Sequence, residues 1–118
     1  MKLSKEDKIA YEEYLEEITS RKKLTKEEVE DLIELAKKDA YTAYRSLIQN
    51  HFVLAHDIAK NYHAKELTIL DLVHAANEGL ESGVVSNNYH DYDSFIKCIE
   101  EAIKYSIELM LSFLNDNN

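Results

Sequence analysis

The sequence predicts an all-α fold, a single compact domain of about five helices. Three observations point there. Proline is absent and glycine occurs only at Gly79 and Gly83, too few for the tight turns that a β-protein needs. Apolar residues recur at three- and four-residue spacing along the 118 residues, the period of helices with a buried face. Two places carry a reciprocal helix-start pattern, Thr25 with Glu28 and Thr68 with Asp71. In each, a hydroxyl and an acid three residues later can satisfy backbone N–H groups that a helix leaves open.

Three segments are expected: residues 1–23 as an N-terminal amphipathic helix, 24–114 as the main helical domain and 115–118 as a polar tail. The first helix runs from Ser4 to about Arg21, with Ile9, Tyr11, Tyr14, Leu15 and Ile18 at helical spacing between acids. The second opens at Thr25, with Leu24 and Val29 positioned as a hydrophobic staple, and presents Val29, Leu32, Ile33 and Ala36 on one face. Lys37, Lys38 and Asp39 close it, and Asp39 is expected to cap the next helix. From Ala40 to Tyr62 apolar residues cover more than one side, the mark of one central helix, with a bend expected near Asn50.

A short link at residues 63–66 leads to the Thr68 start, and that helix is expected to end at Gly83 in a left-handed cap. Residues 84–90 read as the one real loop. A last helix, capped by Asp91 or Asp93, runs to about Leu114 with Ile96, Ile99, Ile103, Ile107, Met110 and Leu114 as its buried stripe, widened by Phe95 and Ala102. The expected core centres on Leu47, Phe52, Ile58, Leu72, Ile99 and Ile103.

Composition narrows the function. Hydrophobic residues make up 45% and charged residues 31%, which suits a globular chain. The net charge is −9, and an independent nucleic-acid binder usually needs a basic face. The densest positive run is Lys22, Lys23 and Lys26, so a partner with a basic or mixed surface is the better fit. No apolar run is long enough to span a membrane and no signal-peptide core opens the chain, so a cytoplasmic location is expected. Cys98 is the only cysteine. It can form no internal disulfide and reads as a small core residue.

Catalytic and metal chemistry find little purchase. Of His51, His56, His63, His74 and His90, only His56 and His63 can share a helical face, and no cysteine or carboxylate pair joins them at ligand spacing. There is no nucleophile with its base, no phosphate loop and no carboxylate dyad, so neither enzyme activity nor a cofactor is expected. At Tyr14, Tyr44, Tyr62 and Tyr105, helical position predicts amphipathic packing.

Two blocks carry a family resemblance. The first joins LTKEE from Leu24 to SLIQNHFVLAHDIAKNY from Ser46 to Tyr62; the second is LTILDLVHAANEGL from Leu67 to Leu80. They resemble the "LIxxNLRLVxxIAKxY" helix and the "LxxxDLIQEGNxGL" signature of domain 2 in bacterial sigma-70 family RNA polymerase sigma factors. The second block matches at Leu67, Asp71, Leu72, Asn77, Gly79 and Leu80 without a gap. The resemblance covers roughly two-thirds of the chain, from Leu24 to about Ile107.

The resemblance implies a sigma-like transcription initiation protein that binds core RNA polymerase at the clamp coiled coil of the largest subunit. It assigns the contact to Asp71, His74 and Asn77, which the spacing places along one broad polar edge. His74 stands where the family has Gln, and Ala75 where it has Glu, which removes an ion pair from the docking surface. In the family the next helix opens and reads promoter DNA with aromatic and basic residues. Tyr92 and Phe95 resemble two of those aromatics, but tryptophan is absent and Glu100 and Glu101 replace Arg and Gln. From Asp91 to Asn118 there are six acids against two lysines. DNA binding by the isolated chain is therefore expected to be weak or absent. The alternative implied is a degenerate sigma-like module that competes with true sigma factors, or draws DNA binding from a second subunit carrying a helix-turn-helix.

Overall fold

The computed structural model describes residues 2–116 and is all-α, with six helices among the described residues. They are α1 (Lys5–Ser20), α2 (Lys26–Lys37), α3 (Tyr41–Gln49), α4 (Phe52–Ala59), α5 (Ile69–Ser86) and α6 (Tyr92–Asp116). Residues 117 and 118, expected in the polar tail, lie outside the described residues, whereas Asn115 and Asp116 continue α6.

The starts form as their side chains dictate. Ser4 caps α1 by accepting from the Asp7 N–H at 3.1 Å. At α2 the Glu28 N–H donates to Thr25 Oγ1 at 3.1 Å while the Thr25 N–H donates to Glu28 Oε1 at 3.0 Å. That closes a capping box. Asp91, not Asp93, starts α6. Its Oδ1 accepts from the Ser94 N–H at 2.8 Å, and Ser94 Oγ accepts from the Asp91 N–H at 3.0 Å.

Three element boundaries differ from the sequence expectation. The helix expected from Ala40 to Tyr62 is two, α3 and α4, broken where the bend was expected. Asn50 Nδ2 donates to the Ser46 carbonyl at 2.8 Å, and His51 Nδ1 lies 2.6 Å from the Leu47 carbonyl oxygen. The Asn50 N–H still reaches the Ser46 carbonyl at 3.1 Å, but the His51 ring takes the Leu47 carbonyl that a continuing helix would use, and the His51 N–H turns to the Ile48 carbonyl at 3.1 Å. Asp39 does not cap α3. It sits at φ 60° just past α2. There its N–H bonds the Ala36 carbonyl at 3.0 Å and the Ala40 N–H bonds that of Leu35 at 3.3 Å, the crossed pair of a Schellman ending. Gly83 is not a helix end either. α5 runs three residues further and stops at Asn87, which takes the left-handed cap at φ 59°. The loop accordingly begins at residue 87 rather than 84.

α6 packs mainly along α5, α4 lies against both, and α2 pairs with α3. Phe95, Ile99, Ile103 and Ile107 are wholly buried along α6, facing Leu72, Val73, Ala76, Leu80 and Val84 of the buried core. Both glycines lie at this seam. A Cβ on Gly79 would fall 2.6 Å from the Ala102 carbonyl oxygen and 2.7 Å from Ile103 Cα; on Gly83 it would fall 3.2 Å from Ile99 Cα. Glycine is there because the α6 backbone occupies the space.

The core differs from expectation in its aromatic. Phe52 is only half-buried, whereas Phe95 has no exposed surface. Phe95 is held edge-on by His51 and Tyr89, with ring centroids 5.0 and 4.8 Å away. Tyr105, expected to pack, is 67% exposed; Tyr14, Tyr44 and Tyr62 do pack against the core. Cys98 is half-buried and its Sγ lies 3.6 Å from the Gly83 carbonyl oxygen.

Gly79→Ala tests the seam. In an exposed helix this change stabilises by roughly 1 kcal/mol through helix propensity. Here the new methyl meets backbone rather than a movable side-chain end, so urea unfolding is expected to show a net loss of about 1–3 kcal/mol. A gain in stability would contradict the close approach of α5 and α6.

Candidate functional site

The expected polymerase-binding residues all lie on α5, whose first turn is locked. The Thr68 N–H donates to Asp71 Oδ2 at 2.9 Å, Thr68 Oγ1 donates to the same oxygen at 3.2 Å, and the Asp71 N–H donates to Thr68 Oγ1 at 3.3 Å. Asp71 is thus both the third residue of a capping box and an exposed carboxylate. One turn on, His74 is exposed, with Nε2 3.0 Å from Glu78 Oε1. Asp71, His74 and Glu78 stand at i, i+3 and i+7 and form one outward ridge.

Asn77 does not belong to that ridge. Residue i+6 lies about 120° around the helix from residue i, at roughly 100° per residue. Asn77 instead turns under α1 and is half-buried. Its Nδ2 donates to the Tyr14 hydroxyl at 3.0 Å, and its Oδ1 is buried with no hydrogen-bond partner. The family resemblance led to Asn77 and passed over Glu78, which is both on the ridge and paired to His74. Ala75 is 4% exposed and its carbonyl accepts from Ser106 Oγ at 2.7 Å. That position faces α6, so no acid is missing from the ridge there.

The expected DNA-contact remnants separate as well. Phe95 is wholly buried beneath His51 and Tyr89 and presents no face to a base. Tyr92 is half-buried, its backbone N–H donating to Glu30 Oε2 at 3.1 Å. It borders a groove of about 450 Å³ whose lining includes Arg21, Lys22, Lys23, Asn50 and Val53. Glu101 is exposed and Glu100 half-exposed on the same helix, so α6 offers carboxylates where a DNA strand needs cations.

Two interior contacts, not legible in the sequence, tie α1 to the body. The Tyr11 hydroxyl lies 2.6 Å from His56 Nε2, and Tyr14 reaches Asn77. Burial raises the pKa of both phenols, so they stay neutral. Among the described residues no group of three or more His, Cys, Asp or Glu is arranged to hold a metal ion, and no helix is long and apolar enough to cross a membrane. No family model matches the chain, and no curated protein matches it either.

His51 and His56 contribute to the acid sensitivity of the fold. Burial holds both imidazoles below the ordinary histidine range, because the charged form loses its water. The unfolded chain therefore takes up protons first as pH falls. The stability these groups confer is complete above about pH 6.5 and is lost as pH drops through their folded values. The urea midpoint is expected to fall between about pH 7 and pH 5, and to fall less in His51→Gln. An equal fall in both proteins would show that His51 is not buried neutral.

Proposed function

We propose that this chain is a sigma-like transcription protein that binds the clamp coiled coil of core RNA polymerase through the exposed ridge of α5. The observation that carries the reading is the ridge itself. Asp71, His74 and Glu78 project from a helix whose first turn is fastened by Thr68 and whose opposite side is buried against α6. Such a ridge is ordered before it meets a partner, so little side-chain and backbone freedom is lost on binding. Two carboxylates on it match a partner bearing Lys or Arg, and the net charge of −9 favours encounter with a basic surface. The choice of the clamp rests on the likeness of the residues from Leu67 to Leu80 to the family signature.

A specific observation favours the narrower form of this reading, an interaction module that does not itself open or read DNA. Phe95 is wholly buried and Glu101 is exposed. Stacking on a base needs an accessible ring, and holding a strand needs cations. Such a module competes with true sigma factors for the clamp, or relies on a second subunit for a helix-turn-helix.

Charge reversal on the ridge tests the docking. Asp71→Lys is expected to weaken binding to core RNA polymerase by about tenfold, or ~1.4 kcal/mol. Because Asp71 also caps α5, thermal melting is measured in parallel and is expected to show a cost of about 1 kcal/mol. Unchanged affinity with an intact fold would remove the ridge as the contact. In the same preparation the isolated chain is expected to bind promoter DNA weakly or not at all near physiological salt, and sub-micromolar sequence-dependent binding would restore an autonomous initiator.

A further inference from the structure

α1 differs from the other helices in how it is held. Its only fully buried side chain among the described residues is Ile18, and Ile9 on the same helix is 48% exposed. Its other attachments include Tyr11 and Tyr14, whose hydroxyls meet His56 and Asn77 and whose rings lie 5.7 Å from His56 and 6.3 Å from Phe52. Residues 21–25 join it to α2 without helix. From Lys5 to Ser20 it carries six acids against two lysines. Its net charge is negative, like that of an α5 edge that shows Asp71, Glu78 and Glu81. A segment with one buried anchor and a non-helical hinge opens locally at far lower cost than the body unfolds.

The residue beneath α1 matters as much as the way α1 is held. Asn77 is one of the residues that the docking signature shares with this chain, and Tyr14 of α1 lies over it, accepting from its amide at 3.0 Å. The closed arrangement is also imperfect, since Asn77 Oδ1 is buried without a donor. Such an acceptor disfavours the state that buries it and is satisfied as soon as water or a partner donor reaches it.

We infer that α1 is a hinged cover over part of the polymerase-docking surface. Closed, the chain offers the Asp71, His74 and Glu78 ridge alone. With α1 lifted, Asn77 and the α4 surface around His56 join the contact, and the partner supplies the donor that Asn77 Oδ1 lacks. The inference rests on the docking reading above. A partner that binds only the open state binds with an affinity reduced by the closed fraction, so loosening α1 raises the affinity.

The test uses the full chain, with Tyr14→Phe to remove the hydroxyl over Asn77 and Ile18→Ser to remove the buried anchor. Hydrogen exchange reads the opening and titration with core RNA polymerase reads the affinity. In both variants α1 amides are expected to lose protection while α2 to α6 keep theirs, and polymerase affinity is expected to rise at least about threefold. Faster α1 exchange with unchanged or weaker affinity overturns the cover, and so does α1 protection that neither variant alters. Adding Asp71→Lys to each variant separates the two readings. If it cancels the binding, the ridge is the contact; if no protein binds polymerase, or Asp71→Lys changes nothing, the docking reading fails and the inference falls with it.

Discussion

The close approach of α5 and α6 is the constraint on which the rest of this structure depends. Two glycines one turn apart let the α6 backbone lie where a side chain would otherwise stand. That contact aligns Phe95, Ile99, Ile103 and Ile107 against the apolar side of α5. At roughly 1.5–3 kcal/mol for each large apolar side chain fully buried, this stripe is a principal contribution to the fold. With that side of α5 committed to the core, its polar residues are left facing out as the ridge. The same seam turns Phe95 inward, which removes it from any surface where DNA could reach it. Burial of one face and exposure of the other are a single event.

Much of this was legible in the sequence because its signals are local. Thr25 with Glu28 and Thr68 with Asp71 form the boxes that their spacing predicts, and Ile99, Ile103 and Ile107 of the last helix are buried as their period requires, while Ile96, Met110 and Leu114 of the same stripe are half-buried. The failures share a cause, since each depended on a competing neighbour. Asp39 is a good cap by residue type, but the chain reverses there and uses it as a left-handed residue. Gly83 has the composition of a helix end, yet it answers to α6 across the seam, and Asn87 ends the helix. Phe52 and Phe95 look alike in a hydrophobic pattern; only the positions of His51 and Tyr89 select which ring is enclosed. Tyr105 lies on a side of α6 that no other helix covers.

The candidate site was readable to the same extent. Asp71 and His74 are exposed because residues three apart share a face, and Glu78 completes that face at seven. Asn77 at six rotates away and meets Tyr14, a partner 63 positions distant in the sequence. No local pattern encodes that meeting. A tyrosine at helical spacing reads as packing, and only the tertiary fold shows that its hydroxyl covers the amide.

The central claim, that the α5 ridge is what meets the polymerase clamp, is tested most directly by site-specific photocrosslinking. A photoreactive residue replaces exposed His74 on the ridge in one protein, and exposed Lys97 on α6 in another. Each is mixed with core RNA polymerase and irradiated, and the crosslinked peptides are sequenced. The account predicts crosslinks from position 74 to the clamp coiled coil of the largest subunit, with none there from position 97. Crosslinks to the clamp from position 97 alone, or from neither position, would contradict it.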